Sequence, residues 1–331
     1  RKKKEFCWGW LLIGELKKRL NVEESKDVSV VSLLDYKGNA ADTESTKDRI
    51  AVLYAYGDIV DGESEQGTIG GDTFSRELRK LRTDKRVKAV VLRVNSPGGS
   101  ALASENIARE VELTKKVKPI VVSIGDYAAS GGYYISALAD TIFAEQATLT
   151  GSIGVFGLIP NFKNLLNSKL GVRFDNVKTG KYADLMTAPD RPLTAEEKSI
   201  IQLEVNRIYE SFLGRVAQGR GLSVAQVDSI GQGRVWTGQQ ALSIGLVDKI
   251  GGLDAAIASA AAKAKLSNYR LMSYPVAKDP FASILSSSKE KIKIWMFADD
   301  FGDYMGYLKQ LKTVANSSGI QARVPYMLEI H

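Results

Sequence analysis

Ser130 stands in the run Ala128-Ala129-Ser130-Gly131-Gly132-Tyr133-Tyr134, between small residues and at the expected start of a helix. Small neighbours let a peptide backbone approach closely, and a helix N-terminus sets a backbone N–H, that of Gly131, beside developing negative charge. A hydroxyl held there can attack an acyl carbon; it can equally serve as a helix cap. A second run, Asn95-Ser96-Pro97-Gly98-Gly99, follows an apolar strand. Proline fixes one turn dihedral and paired glycines reach conformations closed to other residues. Two adjacent N–H groups, at Gly98 and Gly99, can then point into one space, which is the geometry of an oxyanion hole. The alternative is a plain strand-to-helix turn capped by Ser96 or Ser100. A third run, Thr150-Gly151-Ser152-Ile153-Gly154, offers a second hydroxyl that could hydrogen-bond an amine base, although its spacing alone describes a turn.

The base for such chemistry is harder to find. The only histidine is His331, the last residue. A Ser-His-Asp triad needs an imidazole held between two partners in a rigid cleft, and chain termini are poorly placed for that. Histidine-based metal sites fail on the same ground. The single cysteine, Cys7, excludes an intrachain disulfide and a zinc site built on several cysteines. A hydrolase of this composition is expected to use lysine or a carboxylate as its base, without metal or organic cofactor.

The elements that must carry these turns follow from the apolar pattern. Strands are expected at Ile50–Tyr56, Val87–Val94, Ile120–Ile124 and Thr141–Ala144, and helices at Thr73–Arg82, Ala101–Val117 and Gly131–Ala139. Strands alternating with helices imply parallel pairing and an α/β fold. Successive parallel strands release their loops at one edge of a sheet, where ligands bind. The three turns together then give one edge paired N–H donors, a serine and an accessory hydroxyl, an acyl-transfer site lacking its base. Further along, Thr194–Gln218 reads as a long helix and Gln240–Ile244 as a short one, followed by a turn at Gly245 and the run Leu246–Ile250.

The 331 residues, 44% hydrophobic and 25% charged, suit a globular protein with a sizeable core. The net charge of +7 is spread along the chain apart from Arg1–Lys4, so a solvated surface is expected and nucleic acid is not an expected partner. The apolar stretch Phe6–Ile13 is far short of the roughly 20 residues of a membrane span and runs into Glu15, Lys17, Lys18 and Arg19. We expect a helix at Leu11–Leu20, a strand at Val28–Leu34 and a polar boundary at Gly38–Lys47. Beyond residue 269, Pro275, Pro280 and Ser286–Ser288 interrupt the pattern, and Ile292–Phe297 and Tyr304–Leu311 are apolar islands. The division expected is therefore 1–49, a peptidase-like domain at 50–268, and a C-terminal extension at 269–331 that packs on a neighbour or a membrane surface.

VLRVNSPGGS (91–100), AASGGYYIS (128–136), LTGSIGVFG (149–157) and GRVWTGQQALSIGLVDKIGG (233–252) resemble the signal peptide peptidase A, or protease IV, family in order and spacing. The resemblance covers about residues 50 to 268, and residues 11 to 36 look like the end of an upstream repeat of the family's long, two-repeat form. It implies a Clp-protease/crotonase-like α/β fold of stacked β-β-α units and a Ser/Lys dyad. Ser130 matches the nucleophile, Gly98, Gly99 and Gly131 the oxyanion region, and Ser152 the serine that helps hold the lysine. In the short form a lysine directly precedes an Asp-Ile/Leu-Met stretch. Aligned on Asp184, that position holds Ala183, and Lys181 lies two residues early. In the long form the first repeat supplies the lysine and the second the serine. The resemblance therefore implies a base from a missing upstream half, with Lys181 the candidate within the chain. It further implies an endopeptidase for cleaved signal peptides and other hydrophobic peptides. The expected setting is a homo-oligomer at the bacterial inner membrane, anchored by a missing N-terminal part and facing the extracytoplasmic side. A crotonase-like acyl-CoA enzyme or a non-catalytic scaffold subunit is the alternative.

Overall fold

The computed structural model describes residues 17–19, 21, 23, 46–159, 161–175, 177–185, 191–275 and 319–323. The chain divides into two compact units, Arg1–Ser45 and Thr46–His331. In the first, residues 17–19 are helical, inside the helix expected at Leu11–Leu20. The stretch Phe6–Ile13, the expected strand Val28–Leu34, Ser286–Ser288, the islands Ile292–Phe297 and Tyr304–Leu311, and His331 lie outside the described residues.

In the second unit one pattern recurs. Strand β1 (Arg49–Tyr56) leads through short strands β2 (Asp58–Val60) and β3 (Thr68–Gly70) into helix α1 (Gly71–Thr83). Strand β4 (Val87–Ser96) leads through β5 (Gly98–Ser100) into α2 (Ala101–Lys115). Strand β6 (Ile120–Ala129) leads directly into α3 (Gly131–Ser136). The long strands join a large sheet, while β2, β3 and β5 turn away into a smaller one. These stacked β-β-α units are the α/β architecture the sequence implies.

Across the large sheet the order is β10-β8-β6-β4-β1-β12, where β8 is Leu149–Gly151, β10 is Val235–Thr237 and β12 is Arg270–Tyr274. Strand β7 (Thr141–Ala144) pairs with the first half of β6 and β8 with the second half, both parallel to it. The two-residue strand β11 (Lys249–Ile250) pairs with β7. Because β12 runs parallel to β1 from Arg49↔Arg270 to Leu53↔Tyr274, the chain just beyond residue 268 supplies an edge strand of this sheet. The smaller sheet has the order β3-β2-β5-β13-β9, with β9 at Phe156–Leu158 and β13 at Gly319–Arg323.

Both faces of the large sheet are buried, so its strands read as continuous apolar runs rather than alternations. Ala51, Leu53, Val90, Leu92 and Val122 face a core closed by Phe74 and Leu78 of α1 and Ile107 and Val111 of α2. Ile50, Val52, Ala89, Val91 and Val121 face the opposite side, against Ala256, Ile257 and Ala260 of the helix Leu253–Lys263. The long helix α4 (Ala195–Arg220) starts in a capping box of Thr194 and Glu197 and ends at Gly221 with φ 66°. Its second half buries Phe212, Leu213 and Val216, whereas Leu203 in the first half is exposed. Among the described residues no helix is long and apolar enough to cross a membrane.

Candidate active site

Strands β4, β6 and β8 are parallel neighbours, so the three glycine-rich turns leave the sheet at one edge. Ser96 pairs with Ala128, and Ala129 pairs with Gly151. Ser130 and Ser152 therefore follow directly from the ends of adjacent strands. The Ser130 N–H donates to the Gly151 carbonyl at 2.9 Å, which joins the two turns.

Ser130 has φ 52° and ψ −116°, a conformation that L-residues rarely adopt. Such a residue costs about 1–3 kcal/mol and persists only where its surroundings over-determine it. Here they do. Its N–H is bound to Gly151, its carbonyl accepts from the Tyr134 N–H at 2.8 Å, and the side chain is fully buried. The hydroxyl donates to the Gly154 carbonyl at 3.2 Å, and no side-chain cap bond is made to α3. The helix-cap alternative thus does not describe this serine. It does describe Ser100, whose hydroxyl accepts from the Ala103 N–H at 3.2 Å.

Ser152 is also left-handed, with φ 47°, as is Gln232 at φ 57°. The Ser152 N–H donates to the Arg234 carbonyl at 2.7 Å, but its hydroxyl reaches the Gly233 carbonyl only at 3.5 Å, the outer limit of a hydrogen bond. The Ser152 hydroxyl is thus loosely engaged.

Glycine is obligatory where the turns meet. A Cβ on Gly132 would lie 2.5 Å from the Ser96 carbonyl oxygen, and one on Gly99 (φ 152°) would lie 1.9 Å from that of Ile59. The first contact lets α3 close onto the Pro-Gly-Gly turn; the second lets β5 lie beside β2. Gly98, at φ 100°, donates its N–H to the Ser96 hydroxyl at 3.2 Å. Gly131 is buried at the first position of α3.

Asn95, unassigned by the sequence beyond its place in the turn, holds this edge in shape. Between the pairs Val94↔Ile124 and Ser96↔Ala128, β6 takes two more residues than β4. The Asn95 side chain closes that bulge, donating to Asp126 at 3.1 Å and accepting from the Tyr127 N–H at 3.1 Å. An amide carries both a donor and an acceptor, which is why asparagine suits the position.

Helix α3 is fastened from behind. The Tyr133 hydroxyl donates to the Leu246 carbonyl at 2.8 Å and that of Tyr134 to Glu105 at 2.6 Å. Burial, with the Glu105 carboxylate second, pushes the Tyr134 phenol well above its usual range. Arg215 binds both Glu105 and Glu112, joining α2 to α4. Both tyrosines are core. Trp236 packs on Gly151, where an added Cβ would meet its ring at 2.8 Å, and donates to the Ile230 carbonyl at 3.0 Å.

Lys181 is not brought to the serines as a free amine. Its side chain is 66% exposed and paired with Glu196. That hydrogen bond, followed by one to Tyr182, raises its pKa, the opposite of what a neutral base requires. Asp184, the residue of the family's Asp-Leu-Met stretch, is bound by Arg191 and Lys178, which hold its carboxyl far below the usual range. Lys118 is shifted down by burial. It donates to the carbonyls of Leu81, Asp84 and Val87, at the start of β4 and thus the far end from Ser96.

A cavity of about 470 Å³ begins at Ser152 and Gly154 and runs between Phe156 and the exposed half of α4, lined there by Gln202, Val205 and Tyr209. A second, of about 450 Å³, continues past Gly157 and Ile159 toward Leu193 and Ile201. Together they form a largely apolar groove that starts at the carbonyl bonded to the Ser130 hydroxyl.

Residues 112–267 match the model of peptidase family S49. Protease 4 of Haemophilus influenzae is 49% identical over 210 residues, which are 63% of this chain and 34% of that protein. A putative signal peptide peptidase SppA of Enterococcus faecium is 41% identical over 211 residues, 63% of this chain and 61% of that one. The chain thus spans about a third of the length of the Haemophilus relative. A putative protease of Synechocystis sp. is 41% identical over 188 residues, 56% of this chain, and two thirds (67%) of its own length is covered. On that match, and on the family's turns gathered at one sheet edge, the chain belongs to peptidase family S49.

Proposed function

We propose that this chain carries the nucleophile of a membrane-associated serine endopeptidase of the Ser/Lys type. The observation that carries the proposal is the backbone of Ser130, a non-glycine residue locked at φ 52°, ψ −116° between β6 and α3. Strain of this kind gathers where a side chain must be aimed. Ser130 Oγ attacks the scissile carbonyl while a neutral lysine takes its proton. The tetrahedral oxyanion is held by backbone N–H groups from Gly131 and from Gly98 or Gly99. The amine leaves with the proton returned by the lysine, and water then cleaves the acyl-enzyme by the same transfer. At Gly98 the substrate oxygen replaces the Ser96 hydroxyl, held now by a bond of only 3.2 Å.

The lysine comes from outside the described residues, from an upstream repeat or another subunit. The raised pKa and exposure of Lys181 support that source over Lys181 itself. Ser152, with its loosely held hydroxyl, orients the amine. The apolar groove along α4 supports hydrophobic peptides as substrates, and the resemblance to the putative signal peptide peptidase of Enterococcus makes cleaved signal peptides the first class to try. The reading includes a homo-oligomer at the bacterial inner membrane with the catalytic part on the extracytoplasmic side.

The test is intact-mass labelling of the full-length protein by a fluorophosphonate, alongside cleavage of a signal peptide. One adduct, lost together with cleavage in Ser130→Ala, is expected. Cleavage that survives Ser130→Ala would overturn the assignment, and thioester turnover surviving it would favour an acyl-CoA enzyme.

A further inference from the structure

We propose that strand β13, Gly319–Arg323, occupies the peptide-binding channel and must be displaced by an incoming substrate. The proposal rests on the peptidase reading of the site and deepens it.

In the smaller sheet β13 lies between β5 and β9 and is antiparallel to both. Its two neighbours belong to the candidate site. Strand β5 begins at the proposed oxyanion residue Gly98, and β9 begins two residues after Gly154, whose carbonyl accepts the Ser130 hydroxyl. Without β13, β5 and β9 would face each other as two unpaired edges about two strand spacings apart, roughly 9–10 Å. That gap is the width of one extended peptide bonded on both sides, the arrangement by which sheets take up peptides as added strands.

The direction of β13 is as telling as its place. Its pairs run Gln321↔Ser100, Ala322↔Gly99 and Arg323↔Gly98. The strand therefore advances toward Gly98 and the Ser96↔Ala128 pair that precedes Ser130. A substrate in this register would bring the residue opposite Gly98 to the nucleophile with its upstream residues along β5 and β9. Ser130 itself has no exposed surface in this state.

The test uses full-length protein in a Cys7→Ser background. Ile320 and Gly157 are cross-strand partners, and a Cβ at Gly157 meets only ordinary contacts, Val205 at 3.8 Å and Ile201 at 3.9 Å. Ile320→Cys with Gly157→Cys should form an intramolecular disulfide, and oxidation should abolish peptide cleavage until the bond is reduced. Gln321→Pro removes a strand N–H. If the channel is filled nine-tenths of the time, freeing it should lower KM for a short peptide about tenfold. A disulfide that leaves cleavage intact, or a proline variant with unchanged or higher KM, would make β13 a fixed structural strand and overturn the proposal. Failure of the disulfide to form would overturn it as well. Binding of a fluorescent peptide to the Ser130→Ala form of the cysteine pair separates the two readings. If the unaltered protein cleaves nothing but oxidation still blocks that binding, the channel assignment stands and the peptidase reading fails.

Discussion

The serine edge and the stretch that follows it, from β9 to the start of α4, are built in opposite ways. At the serine edge, Ser96, Ser130, Thr150 and Ser152 are all buried, and the turns are tied by strand register, backbone bonds and glycine contacts. From Phe156 to Asp184, Leu158, Phe162, Leu165, Leu170, Phe174 and Val177 are exposed, and the π-helical turn Asn164–Lys169 buries nothing. What holds the end of that stretch is an ion-pair network of Lys178, Asp184, Arg191 and Glu197. One region is fixed by the chain's own core, while the other presents apolar surface that the core leaves uncovered. The difference teaches that the chain orders the serine edge by itself; on the proposed reading, the place of the base would be completed by something that packs on the uncovered surface.

The largest effect expected is at the rigid side. Ser130→Ala should reduce peptide cleavage by about 10⁴-fold or more with the thermal midpoint nearly unchanged, measured by fluorogenic peptide assay and calorimetry. Residual cleavage at a tenth of normal would break the comparison at its centre. Gly132→Ala comes next. Its Cβ has no room beside the Ser96 carbonyl, so a shift of the serine should cost about 10²-fold in kcat/KM and about 1–3 kcal/mol of stability by denaturant titration. Tyr134→Phe removes one bond to Glu105 while Arg215 still pairs that carboxylate. About 1–2 kcal/mol should be lost in the same titration.

Smaller effects are expected on the loosely held side. The hydrogen bond from Arg191 lowers the Glu197 pKa from 4.5 to about 2, and Asp184 is lowered by the same residue. Depressed carboxylate values mean the network contributes fully above about pH 4.5 and is lost as pH falls toward 2. Hydrogen exchange, corrected for its intrinsic rate, should therefore quicken in residues 178–185 and 191–197 between pH 6 and pH 3 while residues 128–136 stay protected. Equal behaviour of the two segments would erase the contrast. Lys181→Ala should change labelling or cleavage by no more than about twofold, since exposed ion pairs contribute little. Loss of labelling in that variant would return the base to this chain.

Much of the rigid side is legible in the sequence because its signals are local and redundant. Valine-rich runs announce β4 and β6, and the glycine turns announce the edge they share. The spacing predicts a strand ending at Ile124, whereas β6 continues to Ala129. Gly125 and Asp126 hide that continuation, which depends on the Asn95 amide from a neighbouring strand. The short strands β2, β5, β9 and β10 carry too few residues to show a period. Glu105 and Arg215 lie 110 positions apart, and nothing near either of them announces the pair. Strand β13 sits in a stretch read as an appended extension, because five residues of ordinary composition become a strand only when two edges stand ready for them. The site's glycines and serines were individually visible, but their gathering at one edge rests on strand order, which no single motif encodes.

If Ser130 is the nucleophile proposed above, the bond from its hydroxyl to the Gly154 carbonyl bears on when the protein could harm its neighbours. An amide oxygen accepts a hydrogen bond but cannot take the proton at physiological pH, so on the proposed Ser/Lys mechanism a folded copy without a lysine at hand would carry a serine that is aimed yet inert. Its proteolytic power would then be a property acquired on assembly, which separates the moment of folding from the moment of arming.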